Sequence, residues 1–234
     1  MTPFMGEFMG TALLITLGIG VCANVSLRKA YAFGSGWMVI TMGWAMAVFI
    51  GVVFAGPISG AHLNPAVTIA LAVNGGFAWA DVPGYILAQV AGACTGATLA
   101  WLVYRKQFDE SVPEGGYLGV FATGPSVRHA VSNFLTEAIA SFVFMLAVFA
   151  LTKPETGIGS IDALPVSLIV LSIGLSLGGS TGYAINPARD FGPRLMHALL
   201  PIKGKGSSDW SYAWIPIAGP IAGAVLAALV YQLR

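Results

Sequence analysis

Long apolar runs separated by short polar stretches dominate this sequence. Six runs with few charges recur, each close to the roughly 20 residues that a helix needs to cross about 30 Å of hydrocarbon. They cover residues 4–25, 36–55, 82–104, 131–151, 164–179 and 213–233. The pattern predicts an all-α membrane protein with six transmembrane helices.

Composition agrees with this prediction. Of the 234 residues, 56% are hydrophobic and 9% are charged, which is more apolar surface than a soluble core of this length could bury. The start of the chain, MTPFMGEFMG, has no basic segment before its apolar run, so we expect the first span to be retained and not cleaved as a signal peptide. Lys and Arg show no clear bias between the loops, so charge does not set the orientation.

Other kinds of site find little support in the sequence. The net charge is +1, which gives no basic patch for nucleic acid. His62, His129 and His197 lack the spacing of metal ligands, and no phosphate-binding glycine loop occurs. No nucleophile, base and orienting group occur together, so an enzyme is not expected. We therefore predict no catalytic residues, no metal, no cofactor and no nucleic-acid partner.

The chain contains an internal repeat. The stretch GAHLNPA at 60–66 returns as GYAINPA at 182–188, and a lone carboxylate near the start of an apolar span precedes each of them, Glu7 in the first case and Glu137 in the second. Three spans fall in each half. Because three is odd, the second copy must enter the membrane from the opposite side, which gives inverted repeats.

The repeat also sets the expected domain organisation. Residues 1–234 are predicted to form a single transmembrane domain. Repeat one covers about 1–104, a connecting loop about 105–129, and repeat two about 130–234. Glycines four residues apart predict close helix packing in both halves, at Gly6/Gly10, Gly92/Gly96 and Gly219/Gly223.

A short apolar stretch follows each Asn-Pro-Ala triplet, at 67–73 and 191–200, and each is too short to cross a membrane alone. Asn is a good helix cap and Pro suits the first helical position, so both stretches predict half-helices. The segments before the triplets are expected to be extended. Irregular backbone at membrane depth is tolerated only inside protein or beside a water-filled cavity, so a polar path is implied.

The duplicated triplets, the paired glutamates and the arginine after the second triplet resemble the aquaporin superfamily (major intrinsic proteins) over the whole chain. The stretch Asn-Pro-Ala-Arg-Asp at 186–190 is similar to the glycerol facilitators, or aquaglyceroporins, in which Asp follows the Arg. The resemblance implies the aquaporin fold, in which six transmembrane helices and two half-helices form an inverted repeat and the half-helices meet at the midplane. The two triplets are Asn64, Pro65, Ala66 and Asn186, Pro187, Ala188.

The resemblance also implies a function. It indicates a passive channel for small uncharged solutes, most of all glycerol, with some water flux and with ions and protons excluded. Family members typically form homotetramers with one pore per protomer. We therefore expect a multi-pass protein of the cell membrane, in contact with the lipid bilayer, with its termini in the cytoplasm.

Matching by spacing carries the family's selectivity filter onto four residues: Trp44, Gly174, Tyr183 and Arg189. Water channels generally have His at the position of Gly174, so this glycine is expected to widen the gap. Facilitators usually have Phe where this chain has Tyr183, whose hydroxyl makes the filter more polar.

The remaining predicted roles belong to the two loops. Backbone carbonyls are expected to form two ladders of acceptors along the pore, from Gly60, Ala61, His62, Leu63, Gly182, Tyr183, Ala184 and Ile185. Glu7 and Glu137 are expected to accept hydrogen bonds from loop N–H groups, and His62 to support the first loop. Asp190 is expected to secure the second loop through a surface or interface ion pair with Arg194.

Alternatives stay open at this point. The channel could prefer water, lactic acid, urea or dihydroxyacetone over glycerol. A coupled secondary transporter also suits inverted repeats with broken helices, and its only titratable candidates within the spans are Glu7 and Glu137. A structural junction protein on the same fold is a further alternative, which an open filter at Gly174 argues against.

Overall fold

The structure is a computed structural model that describes residues 1–110, 116–151 and 159–234. The predicted connecting loop, 105–129, therefore lies partly outside the described residues. In chain order the helices are α1 (Pro3–Ser26), α2 (Trp37–Ser59), α3 (Pro65–Val73), α4 (Val82–Val103), α5 (Arg105–Glu110), α6 (Leu118–Phe121), α7 (Ala130–Ala150), α8 (Leu164–Leu177), α9 (Pro187–Leu199) and α10 (Ile215–Tyr231).

The long helices account for the predicted spans. Within the described ranges, five have the length and apolar character to cross a membrane: α1, α2, α4, α7, and α8 together with the 3₁₀ turn (Gly159–Ala163) before it. Helix α10 is the sixth and has 17 residues, at the lower end of the range for a spanning helix. Large side chains such as Leu87 and Leu226 are more than half exposed, as on a lipid-facing surface. The all-α membrane fold is confirmed.

The two half-helices, α3 and α9, begin earlier than the apolar pattern predicts. The apolar stretches lie at 67–73 and 191–200, whereas the helices begin at Pro65 and Pro187, where the asparagine caps place their first residues. Proline fits the first helical turn because its fixed φ is already helical and its missing N–H would have no partner there. The first turn of α9 carries charged residues, so hydrophobicity alone does not find it.

The contacts between helices repeat from one half to the other. Helix α1 packs closely against α2 and α4, and α7 packs closely against α10 but less closely against α8. Each half-helix also packs against the third span of the other half, α3 on α10 and α9 on α4. Helix α2 contacts α8, and α3 contacts α9. This exchange of partners is the arrangement that two related halves around a shared axis produce.

Glycines make the closest of these contacts possible. A Cβ atom at Gly92 would lie 2.2 Å from the carbonyl oxygen of Phe8, and one at Gly223 would lie 2.0 Å from that of Ala138. No side chain fits at such distances, so only glycine lets α4 approach α1 and α10 approach α7. These predicted packing faces therefore lie inside the protomer.

Candidate functional site

The half-helices begin at capping asparagines. The side-chain oxygen of Asn64 accepts from the backbone N–H of Ala66 at 2.9 Å. That of Asn186 accepts from the N–H groups of Ala188 at 3.0 Å and Arg189 at 3.2 Å. These bonds satisfy N–H groups that the first turn of a helix leaves without partners. Each asparagine is thereby fixed with its NH₂ group turned away from its own helix.

The two loops are joined through these NH₂ groups. Nδ2 of Asn64 donates to the carbonyl of Ile185 at 2.9 Å, and Nδ2 of Asn186 donates to the carbonyl of Leu63 at 2.8 Å. Each asparagine therefore donates to the residue directly before the asparagine of the other loop. An NH₂ group has two N–H bonds, so each asparagine keeps one donor for a further acceptor. The carbonyls of Leu63 and Ile185 each have one lone pair committed to this link.

A buried carboxylate holds the first loop. One oxygen of Glu7 accepts from the hydroxyl of Ser59 at 2.6 Å and the N–H of His62 at 2.9 Å. The other accepts from the N–H of Leu63 and from Nε2 of Gln89, both at 2.7 Å. The two backbone N–H groups and the amide nitrogen of Gln89 can only donate, so Glu7 is the acceptor in these three bonds. Glu7 has no exposed surface.

The second loop is held in the same way by Glu137, which is 1% exposed. One of its oxygens accepts from the hydroxyl of Thr181 at 2.6 Å and the N–H of Ala184 at 3.0 Å, and the other accepts from the N–H of Ile185 at 3.0 Å. In each half, the two N–H groups belong to the two residues directly before the asparagine. The carboxylates therefore fix equivalent backbone segments.

The expectation that these loop segments are extended is wrong. Alternate residues have positive φ: Ala61 at 53°, Leu63 at 51°, Tyr183 at 39° and Ile185 at 44°. The carboxylates explain why. In a strand, neighbouring residues point their N–H groups to opposite sides, whereas here two neighbouring N–H groups meet one carboxylate. Two neighbouring N–H groups converge in this way only if residues adopt the left-handed conformation. That conformation is strained for any residue other than glycine.

A cavity of about 110 Å³ lies where the two loops meet. Asn64 and Asn186 contribute to its wall, and valines of α2, α7 and α8 contribute much of the rest. Of the loop residues predicted to line a pore, six line this cavity: Ala61, His62, Leu63, Tyr183, Ala184 and Ile185. Gly60 lies outside it, because it ends α2 as a left-handed cap. The wall is thus mostly apolar with a few fixed polar groups.

A second cavity, of about 270 Å³, is lined by the segment 122–126 and by Gly182. It shares three wall residues with the first cavity: Trp44, Tyr183 and Arg189. The first cavity contains the asparagines and the second does not, so these three side chains separate the two spaces. We call this boundary between the cavities the constriction; all three side chains are at most 8% exposed.

Arg189 and Trp44 form one side of this constriction. The guanidinium carbon of Arg189 lies 3.9 Å from the centre of the Trp44 ring, and its Nη1 donates to the carbonyl of Phe121 at 3.1 Å. Trp44 is fixed in turn, because its Nε1 donates to Sγ of Cys22 at 3.3 Å. A Cβ at Gly18 would lie 2.2 Å from the Trp44 ring, so this glycine makes room for it.

The structure corrects the expectation that Gly174 leaves a gap. A Cβ there would lie 2.9 Å from Cζ of Tyr183 and 2.9 Å from Cγ2 of Thr41. The tyrosine ring therefore occupies the space that a side chain at 174 would need, and Gly174 lines neither cavity. The hydroxyl of Tyr183 has no hydrogen-bond partner among the described residues, although it is buried.

The ion pair predicted at the surface is buried. Asp190 and Arg194 have no exposed surface, and the guanidinium donates through Nε at 2.7 Å and Nη2 at 3.0 Å to the two carboxylate oxygens. Asp190 also accepts from the N–H and hydroxyl of Thr123, at 2.8 and 2.6 Å. Arg194 donates to the carbonyls of Ser208 and Asp209. The pair therefore ties α9 to the chain segments beside the larger cavity.

His62 lines the smaller cavity and contacts polar groups behind it. Its Nδ1 lies 3.2 Å from Oγ1 of Thr68, which donates to the carbonyl of Asn64 and accepts from Nε2 of Gln89. Thr68 has a single hydroxyl proton, so when it donates to Asn64 the contact with His62 requires a proton on Nδ1. The rings of Phe77 and Tyr85 also contact the imidazole.

Several site residues were missed at the sequence level, among them Trp37, which lines the larger cavity. Gln89 is a polar residue inside an apolar span, and that signal could have found it because such residues bond to other helices. Trp37, Thr68 and Thr123 have no comparable signal. Their roles depend on which segments lie beside them in the fold.

A chain with six spans, two half-helices joined at their caps, and two cavities that meet at a constriction has the construction of a membrane channel. Comparison with family models gives the particular family: the description "Major intrinsic protein" matches residues 1–231, so the chain belongs to the major intrinsic protein family. It is a multi-pass membrane protein, and the family consists of channels, not enzymes.

Relatives of known name agree. The chain is 51% identical to the "Glycerol uptake facilitator protein" of Streptococcus pneumoniae R6, over 100% of this chain and 99% of the relative. It is 53% identical to the "Probable glycerol uptake facilitator protein" of Thermotoga maritima, over 99% of both chains. Among solved structures, the aquaglyceroporin from Plasmodium falciparum matches 98% of this chain and 94% of its own, with a TM-score of 0.86 and 31% identity.

Proposed function

We propose that the protein is a passive channel for glycerol, with water passing along the same path and with ions and protons excluded. The observation that carries this proposal is the constriction of Trp44, Tyr183 and Arg189 between two cavities. Two aromatic rings give apolar surface for a carbon backbone, and the guanidinium gives donors for hydroxyl groups. The names of the relatives support glycerol as the solute.

The filter of the proposed channel consists of Trp44, Tyr183, Arg189 and, behind the tyrosine, Gly174. A polyol that enters loses hydrogen bonds to water and needs replacements. Arg189 donates to hydroxyl oxygens on one side, while the loop carbonyls accept from hydroxyl groups along the path. Binding at each step stays weak, so the solute moves on. The Tyr183 hydroxyl adds a polar group, which supports urea, dihydroxyacetone and undissociated lactic acid as additional solutes.

Ions are excluded by fixed positive charge. The N-terminus of each half-helix carries an effective charge of roughly +0.5, and both termini meet at the asparagines. Arg189 adds a full positive charge at the constriction. A cation therefore meets repulsion at two depths, the residues described as lining the two cavities include no carboxylate to offset it, and protons meet the same field.

A coupled transporter is the weaker alternative. Coupling requires a group that gains and loses a proton or ion during the cycle. Glu7 and Glu137 are the only carboxylates predicted within the spans, and each accepts at least three hydrogen bonds from loop donors. Two donors on each carboxylate are backbone N–H groups, which bond more strongly to the charged form and so disfavour a cycle through these residues.

The setting of the channel follows from the family resemblance. We propose a homotetramer in the lipid bilayer of the cell membrane, with one pore per protomer and both termini in the cytoplasm. Repeat one at about 1–104 and repeat two at about 130–234 then form one pore together. Cross-linking in detergent and protease access in sealed cells would test these two points.

The test of function is solute flux through purified protein in liposomes. Stopped-flow light scattering measures re-swelling in a glycerol gradient and shrinkage in an impermeant osmolyte. The variant Val148→Trp fills the smaller cavity, and Val143→Trp places the same bulk on the lipid-facing side of the same helix. We expect the first variant to lose glycerol and water flux and the second to keep both.

Two outcomes would overturn the proposal. Wild-type liposomes no faster than empty ones would exclude a glycerol channel. Equal loss in both tryptophan variants would place the conducting path elsewhere. Concentrative uptake driven by a pH gradient would indicate the coupled transporter, whereas fast water beside slow glycerol would indicate a water channel.

A further inference from the structure

The ring of Tyr183 lies in a slot at the end of α8. Two glycines form the floor of this slot, Gly174 in the last turn of the helix and Gly178 directly after it. A Cβ at Gly178 would lie 2.5 Å from Cδ1 of Tyr183, and one at Gly174 would lie 2.9 Å from Cζ. Both ends of the ring thus contact glycine backbone, and any side chain at either position would displace it.

Trp37, the first residue of α2, closes the slot from the other side. Its ring meets that of Tyr183 edge to face, with ring centres 5.7 Å apart and planes at 81°. Its Cζ2 lies 2.8 Å from the position of a Cβ at Gly178. Edge-to-face contacts of this kind hold two rings in a defined geometry.

A hydrogen bond fixes Trp37 to the slot. Its Nε1 donates to the carbonyl of Gly174 at 2.9 Å. This carbonyl is in the last turn of α8, where a helix leaves its carbonyls without internal donors. The indole therefore links α2 to the end of α8 and contacts the tyrosine at the same time.

The hydroxyl of Tyr183 depends on this packing for its position. Tyr183 is 6% exposed, lines both cavities, and has no hydrogen-bond partner for its hydroxyl in the described part of the chain. No polar contact therefore fixes the ring angle. The glycine floor limits its movement in one direction, and Trp37 limits it in the other.

We propose that Trp37 is a positioning residue that sets the width of the constriction by holding the Tyr183 ring against the Gly174–Gly178 slot. The inference rests on the proposed function, because the width matters only if solutes pass the constriction. Without the indole, the tyrosine ring tilts into the vacated space and away from Arg189. The channel then discriminates less between solutes of different size.

The test compares Trp37→Leu with wild type in liposomes, with erythritol and glycerol as probes of size and water as the reference. We expect the erythritol-to-glycerol permeability ratio to rise about threefold to tenfold, the effect of losing one hydrogen bond and one aromatic contact. Trp37→Phe keeps a ring edge but no donor, so a smaller rise is expected. Trp79→Leu, which removes an exposed tryptophan outside both cavities, should change nothing.

Repeating Trp37→Leu in a variant without the Tyr183 ring distinguishes a positioning role of Trp37 from general support of the fold. Tyr183→Ala removes the ring, and alanine suits this backbone because Ala61 has a similar positive φ at the equivalent place in the first loop. In this background we expect Trp37→Leu to leave the ratio unchanged. An equal rise in both backgrounds, or no rise in the wild-type background, would overturn the role of Trp37.

Failure of the proposed function would look different. If wild type conducts water but no glycerol, the glycerol proposal fails. Trp37→Leu is then expected to gain glycerol flux relative to water, because the constriction has widened. An unchanged glycerol-to-water ratio in that case would overturn the positioning role as well.

Discussion

The two half-helix loops share one construction and differ in charge. Both have an asparagine cap, a proline at the first helical position, a buried carboxylate beneath the loop, and left-handed residues three and one positions before the asparagine. Three, four and eight residues after the asparagine, the first loop has Val67, Thr68 and Ala72. The second has Arg189, Asp190 and Arg194 at these places.

This difference separates the parts of the site by task. What the loops share fixes backbone and brings the asparagines together, which both halves need equally. The charges of α9 have no counterparts at the same places in α3, and one of them, Arg189, lines both cavities. Helix α9 is also longer, with 13 residues against 9 in α3. The two copies thus share the scaffold, and the second one supplies the cation of the proposed filter.

The largest expected effect comes from breaking the buried pair of the second loop. Arg194→Ala leaves Asp190 as an unpaired buried charge, which costs about 3–5 kcal/mol and lowers the melting midpoint by about 10 °C. The double variant Asp190→Thr/Arg194→Ala copies the first loop and is expected to melt higher than the single variant. Thermal unfolding in detergent, followed by tryptophan fluorescence, measures both.

A matched control for this prediction is the exposed pair of Arg105 and Asp109, which has the same four-residue spacing. Arg105→Ala should cost less than about 1 kcal/mol, since solvent screens such pairs. Equal effects of Arg105→Ala and Arg194→Ala would mean that burial of the second pair does not matter. The charges of the second loop would then distinguish its sequence from that of the first loop without adding to the stability of the protein.

The pair of Asp190 and Arg194 illustrates what the sequence can and cannot predict. Spacing of four residues on a helix predicts a neighbouring pair but not its burial, which depends on Thr123 and on the carbonyls of 208 and 209. The repeat, the asparagine caps and the acceptor role of the glutamates were predictable because two copies of a local pattern carry the signal. The left-handed loop residues were missed because nothing local requires them.

The filter illustrates the same limit. Spacing identified Trp44, Tyr183 and Arg189, which lie together at the constriction. The sequence predicted an open gap at Gly174, because glycine has no side chain where water channels generally have His. In the fold, a neighbour fills that space, and only tertiary packing decides which one does. Trp37 was missed for this reason too.

An intermediate effect is expected from substituting the buried carboxylates, which tests whether the two loops depend on them equally. Glu7→Gln and Glu137→Gln each replace one accepting oxygen with an NH₂ group that faces a backbone N–H. Each is expected to cost about 1–3 kcal/mol, a fall of about 5 °C in the melting midpoint, because one buried N–H loses its acceptor. Hydroxyl partners limit the loss at both sites, since Ser59 and Thr181 can turn to accept.

The two glutamine variants are each other's control. Similar melting midpoints would agree with equivalent roles for the two carboxylates. A lower melting midpoint in only one variant would show that the loops depend on their carboxylates to different degrees. The two loops would then share their geometry but not the contribution of the carboxylate to stability.

The smallest effect tests the strain that the loops share. Ala61 has a φ of 53°, which costs an L-residue about 1–2 kcal/mol, while glycine adopts it freely but loses about 0.5–1 kcal/mol in chain entropy. Ala61→Gly should therefore raise the melting midpoint by about 1–3 °C. Ala70→Gly, in the interior of α3, should lower it, since glycine costs about 1 kcal/mol in a helix. Opposite signs from the same substitution nine residues apart would mean that the loop carries strain that its carboxylate imposes. Equal losses would mean that the loop is relaxed, and Glu7 would then hold a conformation that the chain already prefers.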